Sequence, residues 1–141
     1  MIQELMIINK AGIALFYHSF IDANKTDDHQ SLAGYFDLIC RFTKRSFKES
    51  LKILALDSFI FFFYTHNSKY RLVFKCLNKE IDKKILEDTA ESIIDNFLIK
   101  FGKILEDFNG EVSNFSSFKK IVEDIISTRL PNFKKVISIE H

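Results

Sequence analysis

The sequence predicts a mixed α/β (α+β) domain built around an antiparallel sheet. Five short segments have the apolar pattern of strands, and three longer segments repeat their apolar residues every three to four positions, as helices do. The segments follow one another in the order ββαβββαα. With 141 residues, the chain has the size of one domain and can bury a core without disulfides or metals.

The strands are predicted where short apolar runs are bounded by turn residues. The first run contains Leu5, Met6, Ile7 and Ile8, and a strand that is apolar on both sides is typical of the middle of a sheet. The next residues, 9–12, are turn-forming and end in a glycine. The five predicted strands cover residues 3–8, 13–20, 51–56, 59–65 and 70–77.

The first helix is predicted over residues 29–47, with Asp27 or Asp28 as its N-cap. A long helix follows Asn78, a good N-cap, and ends at residues 109–110 after about 29 residues. A short third helix starts at Ser116 or Ser117 and ends at residues 130–131. We therefore predict a domain over residues 1–130, and a tail or short added strand over residues 131–141.

The apolar period also predicts which side chains are buried. In the first helix one stripe contains Leu32, Tyr35, Phe36, Ile39, Thr43 and Phe47, and the opposite side contains Gln30, Asp37, Arg41, Lys44, Arg45 and Lys48. The predicted core of the domain contains Leu5, Ile7, Phe36, Ile39, Phe61, Phe63, Leu72, Phe74, Ile93, Phe97 and Phe101.

The chemistry-bearing residues form no recognisable catalytic or metal-binding pattern. Cys40 and Cys76 are far apart and are expected to be small buried hydrophobic residues. The histidines at 18, 29, 66 and 141 lack ligand spacing and are expected in solvent. The four glycines form no phosphate-binding loop. We expect no catalytic residue, no metal and no cofactor, and a net charge of +1 argues against nucleic acid as a partner.

A basic cluster is the one departure from an even charge distribution. It contains Arg41, Lys44, Arg45, Lys48 and Lys52. One interpretation is contact with an acidic partner or with anionic lipid. The other is that positive charge near the C-terminal end of a helix complements the helix dipole.

The order ββαβββαα resembles the longin domain. So does the opening Leu5-Met6-Ile7-Ile8-Asn9-Lys10-Ala11-Gly12-Ile13-Ala14-Leu15-Phe16, and so does the long helix followed by a short helix that contains Phe118. The resemblance covers residues 2–129. The roadblock domain shares the sheet and central helix, but it normally places a helix before the first strand. The longin resemblance implies the spatial strand order 2-1-5-4-3, with one helix on one face of the sheet and two on the other.

The resemblance also implies a non-enzymatic interaction module in membrane trafficking or small-GTPase regulation. Longin-like domains commonly pair with one another, so we expect a dimer with a second longin-like or roadblock-like chain or with itself, and a small Ras-like GTPase as a further partner. We expect a cytoplasmic protein, peripheral contact with membranes being an open alternative. The start of the chain has no signal-peptide pattern, and the run 59–64 is too short to span a bilayer.

The expected interface combines the third strand, which this order places at a sheet edge, with the flank of the first helix. An exposed strand edge pairs readily with another chain, and an apolar centre with an arginine rim suits an interface. The candidate interface residues are Leu38, Arg41, Phe42, Arg45, Leu51, Lys52, Ile53 and Leu54. The alternative is that the tail, through Phe133, Val136, Ile137 and Ile139, covers this groove and keeps the chain monomeric.

Two other classes of function remain as alternatives. A profilin-like or PAS-like sensor would bind a small molecule in a cavity between sheet and helix, with the phenylalanine-rich interior as its lining. An enzyme would need an acid, base or nucleophile at one place, and no such combination is found in the sequence.

Overall fold

The computed structural model describes residues 2–22, 28–78 and 82–130. The chain divides into two compact units, residues 1–81 and residues 82–141. The first unit contains the strands and one helix; the second contains two helices joined by a 3-10 helix. The elements are β1 (Ile2–Asn9), β2 (Ala14–Ser19), α1 (His29–Phe47), β3 (Ile53–Ala55), β4 (Phe59–His66), β5 (Tyr70–Leu77), α2 (Lys83–Glu106), the 3-10 helix Val112–Phe118, and α3 (Lys119–Arg129).

The five strands form one antiparallel sheet in the order β2-β1-β5-β4-β3. This confirms the order that the longin resemblance implied, and it places β3 at an edge. The described strand β3 is only three residues long, shorter than the predicted segment 51–56. The turn between β1 and β2 contains Gly12 at a φ of +81°, and the side chain of Asn9 accepts hydrogen bonds from the N–H groups of Ala11 and Ile13.

Helix α1 covers one face of this sheet. Asp28 caps it by accepting a hydrogen bond from the N–H of Ser31, so one of the two predicted caps is confirmed. Ala33, Phe36 and Cys40 pack with strand residues of the same cluster. The cluster comprises Met6, Ile8, Ala14, Ala33, Phe36, Cys40, Phe63 and Val73.

The buried face of α1 differs from the predicted stripe. Tyr35 and Phe47, expected inside, are 50% and 66% exposed, whereas Asp37, expected outside, is buried. Asp37 can lie on this face because its carboxylate has cationic partners, described below. Periodicity alone treats every carboxylate as a surface residue.

The second unit is built on a cluster of phenylalanine rings. Helix α2 is capped by Asp82, whose side chain accepts from the N–H groups of Lys84 and Ile85. Its rings meet those of the 3-10 helix at centroid distances of 5.1 to 5.9 Å. The four buried rings belong to Phe97, Phe101, Phe115 and Phe118.

The predicted boundaries of the second helix and the predicted start of the third are wrong, whereas the third helix ends at Arg129 with Leu130 as its C-cap, as predicted. Asn78 does not cap α2: its side-chain N–H donates to the carbonyl of Leu56, and its own N–H donates to the carbonyl of Ser58. It therefore stabilises the turn between β3 and β4. Helix α2 ends at Glu106, before the predicted stop, and a 3-10 helix that the sequence analysis missed precedes α3.

The predicted core is buried except for two half-buried members, Phe61 and Ile39. The predicted tail, residues 131–141, lies outside the described residues. None of the described helices combines the length and the apolar composition that a membrane crossing requires.

Candidate interaction surface

The outward side of α1 exposes large apolar side chains. Leu38 is 65% exposed and Phe42 is 58% exposed. The ring of Phe42 lies edge-on to that of Phe47, with 6.5 Å between the ring centroids. Arg45 is exposed one turn from Arg41 on the same helix. Apolar side chains at the centre of a patch with arginine at its margin are characteristic of protein interfaces.

Strand β3 lies at the edge of the sheet, and among the described residues no strand pairs with its outer side. The N–H of Phe63 donates to the carbonyl of Lys52 at 2.9 Å, and the N–H of Leu56 donates to the carbonyl of Phe59 at 2.7 Å. Hydrogen bonds alternate along an antiparallel strand, so residues 52, 54 and 56 direct their backbone groups toward β4. The N–H and C=O groups of Ile53 and Ala55 therefore point away from the sheet.

The structure places the predicted interface residues in three different environments. Leu38, Phe42, Arg45 and Lys52 are exposed. Ile53 supplies part of the free strand edge. Leu51 and Leu54 are half-buried and pack on the α1 cluster, so their side chains support the surface from beneath.

Arg41, the remaining predicted residue, belongs to a partly buried ion-pair group that we call the Asp37 clamp: Asp37, Arg41 and Arg71. Arg41 Nε lies 2.9 Å from Asp37 Oδ2, and Arg71 Nη1 lies 2.9 Å from Asp37 Oδ1. The guanidinium of Arg41 also donates to the carbonyl of Lys10. A Cβ at Gly12 would lie 3.3 Å from Asp37 Oδ2, so the hairpin turn approaches the clamp closely.

The clamp was missed by the sequence analysis. Asp37 and Arg71 are 34 residues apart, on a helix and a strand, and neither belongs to a motif. The available signal is weak. Arg71 lies in a strand whose other residues are mostly apolar or aromatic, and a cation in a central strand needs an anionic partner.

A second polar group lies between the sheet and the start of α1. Lys75 Nζ is 3.0 Å from Glu4 Oε2, and the hydroxyl of Tyr17 donates to the same carboxylate. The ring of Tyr17 stacks on that of His29 at 4.5 Å. Beside this group is a cavity of about 100 Å³ with walls from β1, β4, β5 and α1. Ligand pockets usually occupy about 300–1,000 Å³, so this cavity is small for a sensor.

The expectation that the histidines lie in solvent is wrong for His18 and His29. His18 is buried on β2, with its ring edge-on to Phe20 at 4.6 Å, and His29 is half-buried under Tyr17. His66 is half-buried on β4, and His141 lies outside the described residues. An imidazole buries well when aromatic rings cover its faces, a tertiary effect that spacing cannot reveal.

Both cysteines are buried, as expected. Burial raises the pKa of the Cys40 thiol and raises the pKa of the Cys76 thiol to about 11. Because the thiolate is the reactive form, both thiols are weak nucleophiles near neutral pH. Within the described ranges, no three His, Cys, Asp or Glu side chains are grouped so as to hold a metal ion.

Comparison with known proteins gives matches at the level of structure. No protein-family model matches the sequence, and no curated protein matches it. Among solved structures, the chain is similar to "MglB with tetrameric arrangement", with a TM-score of 0.52 and 14% identity over 63% of this chain and 71% of that one. The chain has a roadblock/longin-type fold.

Two further structures give lower scores. The gliding protein MglB from Thermus thermophilus has a TM-score of 0.47 and 13% identity over 54% of this chain. Myxococcus xanthus MglB has the same score and identity over 55% of this chain. The chain spans 61% and 65% of the lengths of these two proteins, less than two thirds of either.

Proposed function

We propose that the chain is a non-enzymatic interaction module that pairs through β3 and α1 with a second longin-like chain or with its own copy. The paired platform then receives a small Ras-like GTPase, in membrane trafficking or in GTPase regulation. The module is the domain over residues 1–130, and it acts in the cytoplasm, with peripheral contact at membranes. Binding, and not chemistry on a substrate, is the activity.

Two observations carry the proposal: β3 lies at an edge of the sheet, and α1 exposes large apolar side chains. Soluble proteins usually protect such an edge with charge, proline or a bulge. Here the residues whose backbone groups point away from the sheet are Ile53 and Ala55, and Lys52 is the one charged residue within 51–56. Adding a strand to the edge would satisfy its backbone groups, and a partner that also covers the outer side of α1 would bury Leu38 and Phe42.

Fold-level analogy supports pairing in general. One protein of the same fold type, MglB, is described as having a tetrameric arrangement. Analogy at 14% identity identifies no surface, so the choice of β3 and α1 depends on the geometry of this chain. The proposal of a GTPase partner is based on the resemblance to longin-like domains and on the size of the platform that two paired sheets would offer.

The pairing step is tested by a charge placed in the proposed interface. Phe42→Asp introduces a carboxylate at an exposed apolar position and is expected to shift the protein from dimer to monomer in sedimentation equilibrium. Ile99→Asp is the matched control, because Ile99 is 83% exposed on α2. The pairing proposal fails if the unmodified chain is monomeric at high concentration without a partner chain, and if Phe42→Asp removes no partner captured from a lysate.

The GTPase step is tested separately with purified Ras-like GTPases loaded with GDP or a non-hydrolysable GTP analogue. We expect one nucleotide state to bind the unmodified chain and Ile99→Asp equally, and Phe42→Asp more weakly. A GTPase that binds Phe42→Asp as well as the unmodified chain would contradict a platform made by pairing. Absence of binding by every GTPase tested, with pairing intact, would refute the GTPase step alone.

A further inference from the structure

A basic groove runs beside the Asp37 clamp in the first unit. It consists of two adjoining concavities that share Arg41, Thr65, Ser68 and Arg71. One has a volume of about 470 Å³ and reaches the β1–β2 turn; the other has a volume of about 360 Å³ and reaches the C-terminal half of α1. Both volumes fall within the range of small-ligand sites.

The charge of this groove is strongly one-sided. Its cationic lining residues are Lys10, Arg41, Lys44, Arg45, Lys69 and Arg71. Asp37 is the single carboxylate among the described lining residues. The whole chain has a net charge of only +1, so this concentration of positive charge is local. The helix dipole explains lysine and arginine near the end of α1, but Lys10, Lys69 and Arg71 lie on strands and turns.

The clamp fixes two of the cations in place. Asp37 holds Arg41 through Nε and Arg71 through Nη1. Each guanidinium has five N–H donors, and these contacts engage only part of each set. Arg71 Nε is buried and lacks a hydrogen-bond partner among the described residues. If an oxygen of a ligand bound in the groove drew this guanidinium outward, that oxygen would accept a hydrogen bond from the Nε–H of Arg71.

We propose that this groove binds a phosphate group. Guanidinium groups match the oxygens of a phosphate in paired hydrogen bonds, and fixed arginines lose little freedom on binding. The hydroxyls of Thr65, Ser68 and Tyr70 line the same walls and supply neutral donors. The concave shape suits a compact anion better than the surface of an acidic protein. The phosphate can belong to a lipid headgroup or to a free phosphorylated metabolite.

The groove shares Arg41, Arg45 and Leu51 with the predicted interface. The test therefore changes only its lysines at 10, 44 and 69, which lie outside that interface. The test titrates the full-length protein with inorganic pyrophosphate at low ionic strength, by calorimetry. The triple variant Lys10→Gln, Lys44→Gln, Lys69→Gln is expected to weaken binding by about tenfold or more. The matched control, Lys103→Gln, Lys119→Gln, Lys120→Gln, removes the same charge elsewhere and is expected to weaken it by less than about threefold.

A second experiment distinguishes the two possible sources of the phosphate, a lipid headgroup and a free phosphorylated ligand. Phosphatidylcholine vesicles containing phosphatidylinositol bisphosphate are sedimented with the protein, with and without pyrophosphate as competitor. Competed binding to vesicles assigns the groove to a lipid headgroup, whereas pyrophosphate binding without vesicle binding assigns it to a free phosphorylated ligand. The proposal is overturned if pyrophosphate does not bind saturably, or if both triple variants, folded as judged by their unfolding midpoints, weaken binding equally.

Discussion

The interior beneath α1 and the interior of the second unit are built on different principles. Beneath α1, apolar side chains share the space with two carboxylates, Asp37 and Glu4, each held by cationic partners. In the second unit, phenylalanine rings pack mainly on one another, with Lys100 Nζ 5.6 Å from the centroid of the Phe101 ring. Apolar packing is non-directional, whereas an ion pair fixes one orientation of the helix that carries it.

The two regions also differ in what their helices bury. In α1, Asp37 lies on the buried face, and Leu38 and Phe42 lie outside that face. In the second unit, the rings at 97 and 101 are buried, as their period predicts. The ring cluster therefore accounts for stability, and the polar contacts beneath α1 position a surface. The predictions below test that division, from the largest expected effect to the smallest.

Truncation inside the ring cluster is expected to have the largest effect on stability. Phe97 is fully buried and contacts three other rings. Phe97→Ala should lower the free energy of unfolding by about 3–5 kcal/mol, because transfer and cavity costs add. Phe42→Ala, at an exposed position, should lower it by less than about 1 kcal/mol. Urea unfolding measures both, and equal losses would contradict the division.

Removal of the clamp charge is expected to have an intermediate effect. Asp37→Asn leaves the partly buried guanidinium of Arg71 without its carboxylate. The variant should lower the free energy of unfolding by about 2–3 kcal/mol. This is less than the largest losses seen for buried ion pairs, because Arg41 is exposed to water. Asp95→Asn, on the exposed side of α2, is the control. A loss below about 0.5 kcal/mol would show that Asp37 does not orient α1.

The Cys76 thiol predicts a loss of stability at high pH. Its pKa is about 11 in the folded chain, against 9.0 for an unperturbed thiol, because burial disfavours the thiolate. Between about pH 9 and pH 11 the folded state keeps the thiol proton that the unfolded state has released. The contribution of the protonated thiol to the free energy of unfolding is therefore complete below pH 9 and is lost as the pH rises toward 11.

The size of this effect is measured as a difference between two proteins. From about pH 8 to about pH 10.5, the unmodified chain should lose about 1–2 kcal/mol more than Cys76→Ala, which lacks the titrating group. Urea unfolding at both pH values gives the two losses. If the two proteins respond to pH identically, the thiol is not protected as its burial implies.

The comparison also shows what the sequence predicts well and what it does not. Turn residues and strand periods give all five strands, and the apolar period of α2 gives Ile93, Phe97 and Phe101 as core. The errors occur where partners are distant along the chain. The apolar period predicts Asp37 outside because local pattern cannot pair it with Arg71. Local pattern also predicts Asn78 as a cap, because its bond to Leu56 forms only in the folded sheet.

The sequence predicts the candidate surface only in part, again because some of its features depend on contacts between residues that are distant along the chain. Exposed Leu38 and Phe42 follow from helix geometry, and the edge position of β3 follows from the implied strand order. Which backbone groups of β3 are free depends on its register with β4, a tertiary property. The basic groove joins residues from turns, from strands β4 and β5 and from α1, so the sequence revealed only the helical share of its charge.

The most direct test of pairing through β3 is amide hydrogen exchange at single residues across a concentration series. The N–H groups of Ile53 and Ala55 point away from β4, so they should exchange rapidly in dilute protein and become protected as concentration, or a paired chain, is increased. Phe42→Asp should keep both amides unprotected throughout, and Leu56, bonded to Phe59, should be protected in every sample. If Ile53 and Ala55 still exchange rapidly under conditions in which the protein sediments as a dimer, the pairing surface lies elsewhere.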